Sequence, residues 1–474
     1  MPIAFSDYRA FDALGLAQAV QRGELSRREV LDAALARIAE VNPKVNAVCY
    51  LHETAADEGC ADAGAPFTGV PYFIKDLHAP VAGMPLTHGS RLFAGHVNDF
   101  DSETVARLRR AGFVILGRTA SPEFGMGAST EPVLYGPTRN PWNLAHIAGG
   151  SSGGAAAAVA SGMLPASHAT DSGGSIRIPA SCNGLVGFKP TRGLIPTGPH
   201  RGEASHGLSH EHAVTRSVRD CAAILDATAG PDVGAPYFTA RPALSYSQSI
   251  AQSAGRLRIA FTTTTYDGRP VDAECRLAVE KAVRLLQDLG HDVEERSPVF
   301  DSAALSAACS TLLLTGLAAN VEAREAQLGR KAGELDLERV TRAAIALGRK
   351  VTGVQYAASF TAINREVRRI GHFFETADVF VTPTLASPPL TLGALSMQTQ
   401  SLEEFQQAMS AFCPFTSAFN ATGQPAISLP LHWSSSGLPV GVQFAGRFAD
   451  DARLLQLAAQ LEKAAPWFNR IAPL

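Results

Sequence analysis

The chain has 474 residues, 46% of them hydrophobic and 18% charged, a soluble composition with ample apolar material for a large core. A net charge of −3 with no long block of one sign removes the electrostatic case for a nucleic-acid partner. Seven scattered cysteines, odd in number and free of CxxC pairs, argue for reduced thiols in the cytoplasm rather than a disulfide framework or a zinc site.

The opening MPIAFSDYRAFDALG has no basic segment followed by an apolar run, so no signal peptide is expected. No stretch reaches the roughly 18 uninterrupted apolar residues of a membrane span, and no membrane partner is expected. Ser26 and Glu29 in SRRE form a capping box, each satisfying an orphan backbone N–H of a helix start. Behind it Val30, Leu31, Ala34, Leu35 and Ile38 recur at helical spacing, and Asn42-Pro43 is predicted to end the element. The apolar run at 70–74 reads as a strand. Residues 105–110 lead through Gly112 into FVILG, and residues 278–289 lead through Gly290 into HDVEE. This repeated helix–glycine–strand order predicts an α/β sheet with helices on its faces. Further strands are predicted at 257–261, 378–382, 426–429 and 440–444, with a last amphipathic helix at 450–464 carrying Leu454, Leu455, Leu457 and Leu461. Residues 230–253 form the loosest region and read as a surface excursion.

The run AGGSSGGAAAAV (148–159) opens a small-residue helix with a glycine-rich turn. A phosphate loop would need a lysine after the last glycine, where alanines stand instead. A nucleophile elbow would need a buried strand directly before Ser151, but PTRNPWNLAHI, with two prolines and two asparagines, is no core strand. A second turn, TDSGGSIRIP (170–179), places Ser175 at the end of a glycine bend whose backbone N–H groups can converge on an oxyanion. A serine needs a base, and Lys75, closing the apolar run FIK, can serve if burial pulls it toward neutrality.

GVPYFIKD (69–76), GGSSGG (149–154) and TDSGGSIRIPAS (170–181) together resemble the amidase signature family of serine hydrolases. The resemblance continues through NGLVGFKPTRG (183–193), TRSVRD (215–220), VFVTPT (379–384), GQPAISLP (423–430) and GLPVGVQF (437–444). TRNPWNL (138–144) looks most like the branch of 6-aminohexanoate cyclic-dimer hydrolases and related aryl-amide and carbamate (urethane) hydrolases. The resemblance implies a single α/β/α sandwich around a large mixed twisted sheet, spanning 1–474. Within it, 1–60 would be an N-terminal helical segment, 61–220 and 375–465 the core, and 230–374 a more variable substrate side.

It also implies catalytic Lys75, a bridging Ser151 held by a cis peptide bond, and the nucleophile Ser175. The oxyanion hole would be the backbone N–H groups of Ser172, Gly173, Gly174 and Ser175. The implied reaction is hydrolysis of a small-molecule amide or carbamate C–N bond through an acyl-enzyme, without metal or organic cofactor, by a monomer or homodimer. Met126 and Gly127 are expected to contact substrate. Leu312 and its neighbours at 313 and 314 read as ordinary helix core. Asp171 and Arg177 are expected to fix the turn rather than carry protons. His200, His206, His210 and His212 read as a solvated loop rather than a metal site. The alternative class is the A-type subunit of a glutamine-dependent tRNA amidotransferase, which shares these motifs; TRGLIPTGPHRG after the KPT element departs from that branch's usual pattern.

Overall fold

The two helix–glycine–strand units contribute one strand to each of two sheets, seen in a computed structural model that describes residues 3–52, 54–55 and 64–474. The strands in chain order are β1 (Val48–Leu51), β2 (Pro71–Lys75), β3 (Val114–Thr119), β4 (Arg139–Asn140) and β5 (Asn143–Ile147). They continue as β6 (Ala166–Asp171), β7 (Val186–Lys189), β8 (His210–Thr215), β9 (Arg258–Phe261) and β10 (Asp292–Glu295). The last three are β11 (Val379–Pro383), β12 (Ala426–Trp433) and β13 (Pro439–Gly446).

Eight of these form one mixed sheet in the order β10-β9-β11-β13-β12-β7-β8-β6. Its β10, β9 and β11 run parallel, and the remaining pairs are antiparallel. A three-stranded sheet, β1-β3-β2, lies beside its β6 edge, and β4 and β5 make a separate hairpin. Every residue of β2 and of β3 is buried, including Lys75, Arg118 and Thr119 at their ends, as expected when both faces of the strands are covered.

The helix Arg27–Val45 begins with the predicted capping box, Ser26 and Glu29 exchanging side-chain and backbone hydrogen bonds. It does not stop at Asn42-Pro43: Pro43 sits inside the last turn, and Asn46, in the left-handed region, ends the helix. The stop is still made by Asn42, whose Oδ1 accepts the N–H groups of Ala47 and Val48 at 2.8 and 2.9 Å. Val30, Leu31, Ala34 and Ile38 of this helix pack with Tyr72, Ile74, Val114 and Leu116. On the other side of the molecule, Leu454, Leu455, Leu457 and Leu461 of the helix Asp451–Ala464 pack on Val186, Ile259, Val381 and Phe444. The 230–253 excursion is largely exposed and holds one short helix, Tyr246–Ser249.

The helix Ser302–Leu328 has 27 residues and is long and apolar enough to cross a membrane by length and composition alone. The uninterrupted-run criterion missed it, because serines, threonines and an asparagine break its apolar sequence. One stripe, Leu305, Ala308, Leu312, Leu317 and Val321, is buried. Leu312 is core as expected, whereas Leu313 is exposed and Leu314 is partly buried against the cluster that contains Phe93 and Leu317.

Candidate active site

The two sheets meet where β2 lies along β6, and side chains span the seam. Ser167 Oγ donates to the Phe73 carbonyl at 3.2 Å, and the Lys75 N–H donates to His168 Nδ1 at 3.4 Å. Lys75 ends β2 with no exposed surface. Its Nζ lies 2.7 Å from Ser151 Oγ and 2.9 Å from Thr170 Oγ1, the latter at the end of β6. Burial strips the hydration that favours an ammonium and pulls this amine down to about 7, against the opposing charges of Asp171 and Glu211.

Ser151 is reached through a cis Gly150–Ser151 peptide bond. A Cβ on Gly150 would stand 2.5 Å from the Gly127 carbonyl oxygen and 2.8 Å from the Ser129 nitrogen, so this turn admits only glycine there. The next residue clamps the turn to β6: Ser152 Oγ donates to the Thr170 carbonyl and accepts its N–H. The helix Gly153–Ala160 follows, buried along its whole length.

Ser175 is half-buried at the start of the turn into the helix Arg177–Asn183. Its hydroxyl makes no hydrogen bond to Ser151 among the described residues. The bend before it is held by Asp171, whose Oδ1 accepts the Gly174 N–H at 2.6 Å and whose Oδ2 accepts the Ile176 N–H at 3.2 Å. Arg177 meets both oxygens of Asp171 at 2.9 Å and also reaches Thr416 O, Asn420 Oδ1 and Gln443 Oε1. Burial alone would raise the Asp171 carboxyl, but Arg177 and Asn420 hold it well below the usual carboxylate range. The turn-fixing reading of this pair matches what the side chains do. Of the four expected oxyanion donors, Gly174 has its N–H engaged by Asp171; the N–H groups of Ser172, Gly173 and Ser175 carry no hydrogen bond among the described residues.

Met126 and Gly127 belong to a turn pressed against Ser151. A Cβ on its Gly125 would lie 3.3 Å from Ser151 Oγ. Met126 and Phe124 are partly buried against the apolar cluster that contains Leu92, Phe93 and Leu317, and Gly127 faces Met397. Sequence reasoning missed Thr170, the second partner of the Lys75 amine, although it directly precedes the DSGGS bend. It also missed Gly125, whose only signal was a second glycine in FGMG.

The four histidines do not share one solvated loop. His200 is exposed and meets Phe100 edge-on, and His206 Nδ1 lies 2.9 Å from the Tyr356 hydroxyl. His210 and His212 are buried on β8, opposite Asp171 and Ala169 of β6. The composition of HRGEASHGLSHEH hides the start of a strand, because the consecutive polar residues His210, Glu211 and His212 are all buried there. Among the described residues no group of three or more His, Cys, Asp or Glu is disposed to hold a metal ion.

The amidase family model matches residues 29–455. The 6-aminohexanoate-cyclic-dimer hydrolase of Paenarthrobacter ureafaciens is 38% identical over 472 residues, covering 97% of this chain and 96% of that one. A solved structure of 6-aminohexanoate cyclic dimer hydrolase gives a TM-score of 0.92 at 37% identity, covering 98% of this chain and 99% of its own. A bacterial aryl acylamidase of the amidase signature family gives 0.87 at 28% identity, covering 96% of each chain. A serine–lysine contact at a two-sheet seam, the glycine bends on either side of it and this end-to-end similarity place the chain in the amidase signature family, as a hydrolase of amide C–N bonds.

Proposed function

We propose that the chain cleaves carboxamide or carbamate C–N bonds through Ser175, Ser151 and Lys75, acting on an aryl-amide or oligoamide substrate. The observation that carries this reading is the buried 2.7 Å contact between Lys75 Nζ and Ser151 Oγ, with the amine drawn down to about 7. A neutral amine has a lone pair, so at neutral pH it can take the Ser151 proton as Ser151 takes that of Ser175. The relay needs the Ser175 hydroxyl to turn toward Ser151, a rotamer change open to a half-buried serine.

Attack of Ser175 Oγ on the carbonyl carbon forms the C–O bond and a tetrahedral oxyanion. The open N–H groups of Ser172, Gly173 and Ser175 would receive it, each donor contributing on the order of 3 kcal/mol. The proton then returns through Ser151 to the leaving nitrogen as the C–N bond breaks. Water, deprotonated by the same relay, attacks the ester and releases the carboxylate and Ser175. The substrate class rests on similarity to the cyclic-dimer hydrolase and the aryl acylamidase, together with the apolar Phe124 and Met126 that flank Gly125, the residue whose Cβ would lie 3.3 Å from Ser151 Oγ.

A panel of p-nitroanilides, lactams, cyclic and linear oligoamides and aryl carbamates, ranked by kcat/KM, tests the substrate. The expected order puts aryl amides or oligoamides first; a preference for small aliphatic amides would overturn it. A serine-directed phosphonate should label the peptide containing Ser175, and labelling elsewhere would reject the nucleophile.

A further inference from the structure

A second buried acid–base pair stands behind Lys75 and has no place in the proton relay above. His168 and Glu211 are both buried, on the adjacent strands β6 and β8. Glu211 lies directly opposite Thr170, and His168 is two residues before Thr170, so all three share one face of the sheet. That is the face Lys75 meets, since its amine reaches Thr170 and its N–H reaches His168. His168 Nδ1 accepts the Lys75 N–H at 3.4 Å, which leaves the proton on Nε2, 3.4 Å from Glu211 Oε2.

We propose that His168 and Glu211 are positioning residues for Lys75: His168 pins β2 against β6, and Glu211 supplies the buried negative charge that keeps the amine basic. The pinning follows from topology. β2 and β6 belong to different sheets, so side chains and not a backbone ladder fix where Lys75 stands along β6. The charge argument follows from the other groups around the amine. Asp76, next on the same chain, lies among the Thr87 and Gly89 donors and near Arg118, whose guanidinium also donates to the Lys75 carbonyl. His78 beyond it is held neutral by burial and by Arg201. Asp171 on β6 is matched by Arg177. Glu211 has no such arginine; its side-chain partner among the described residues is the neutral imidazole of His168, which donates from Nε2 and leaves the carboxylate charge uncancelled. Its field therefore adds to that of Asp171 in opposing the desolvation that would otherwise make Lys75 too weak a base.

This inference rests on Lys75 being the base, and the pH dependence of kcat/KM separates the two claims. Wild-type activity should rise as pH increases through the Lys75 ionisation, and Lys75→Ala should abolish turnover. In Glu211→Gln the ammonium loses a stabilising charge, so the rising limb should move to lower pH by on the order of half a unit. Glu211→Asp keeps the charge and should leave the limb near its wild-type position. His168→Gln should lower kcat about tenfold with KM little changed, because the amine is misplaced rather than the substrate. A Glu211→Gln limb superimposable on the wild-type one would overturn the role of Glu211 while leaving Lys75 as base. An active Lys75→Ala variant would overturn both. Should Glu211→Gln not fold, His168→Gln decides: wild-type kcat and limb in that variant reject the proposal.

Discussion

Arg177 grips Asp171 with Nε and Nη2, each 2.9 Å from a carboxylate oxygen, and neither side chain has any exposed surface. The same carboxylate takes the N–H groups of Gly174 and Ile176, so the charge pair shapes the bend that presents Ser175. Asn420 ties the bend to the far side of the site, donating to both the carboxylate and the carbonyl of Asp171. Asp171→Ala would strand the Arg177 guanidinium in the interior, a loss of about 3–5 kcal/mol. The expected result is a fall in Tm of several degrees with loss of turnover, read by thermal unfolding and initial rates. A variant with unchanged Tm would refute the structural role.

The Lys75 amine at about 7 gives the reaction a definite pH signature. The base form is the neutral amine, so kcat/KM should climb about tenfold per pH unit below 7 and level off above it. Ser175→Ala should bring turnover to background with the circular dichroism spectrum unchanged. Ser151→Ala should cost about 10²–10⁴-fold, since the amine would lose its 2.7 Å partner and Ser175 its relay. A flat pH profile from 5 to 9 in the wild type would count against the base.

Gly125 has φ +70, and a Cβ there would lie 2.5 Å from Leu77 Cδ2 and 3.3 Å from Ser151 Oγ. Gly125→Ala therefore asks an L-residue into the left-handed region, at about 1–2 kcal/mol, and pushes a methyl toward the bridging hydroxyl. We expect kcat to fall about tenfold or more while the fold survives. Unimpaired kcat would mean that the 124–127 turn yields without disturbing Ser151.

Much of this was legible in the sequence because short motifs encode local geometry. The FIK run ends a strand, the two glycine bends flank it in space, and the capped helix after Ser26 and the amphipathic helix after Asp450 start where expected. Long-range pairing was not legible. Nothing local to SHATD shows that His168 bolts β2 to β6, because that contact joins residues 93 positions apart. The burial of His210 and His212 was hidden for a similar reason: β8 is covered on both faces, which erases the polar–apolar alternation that marks a half-exposed strand. Pro43 misled in the opposite sense, since a proline in the last turn forfeits little when Asn42 and Asn46 already organise the exit.

Glu338, the N-cap residue of the helix Arg339–Gly348, gives a stability test independent of activity. Its backbone N–H donates to Glu123 Oε2 and its Oε1 accepts the Val133 N–H, which joins this helix to the two ends of the loop carrying Gly125 and Met126. Burial, with the nearby charges of Glu123 and Glu131, pushes its carboxyl up to about 7 from an ordinary value of 4.5. Between those two values the folded chain binds more protons at this site than the unfolded chain, so stability falls as pH rises through that window. Below about 4.5 the penalty is absent, and above about 7 it is complete, worth up to about 3 kcal/mol. Glu338→Gln keeps an oxygen for Val133 and removes the charge. It should therefore raise Tm relative to the wild type at pH 8 and lose most of that advantage at pH 4.5. An offset equal at both pH values would show that Glu338 does not titrate in this window.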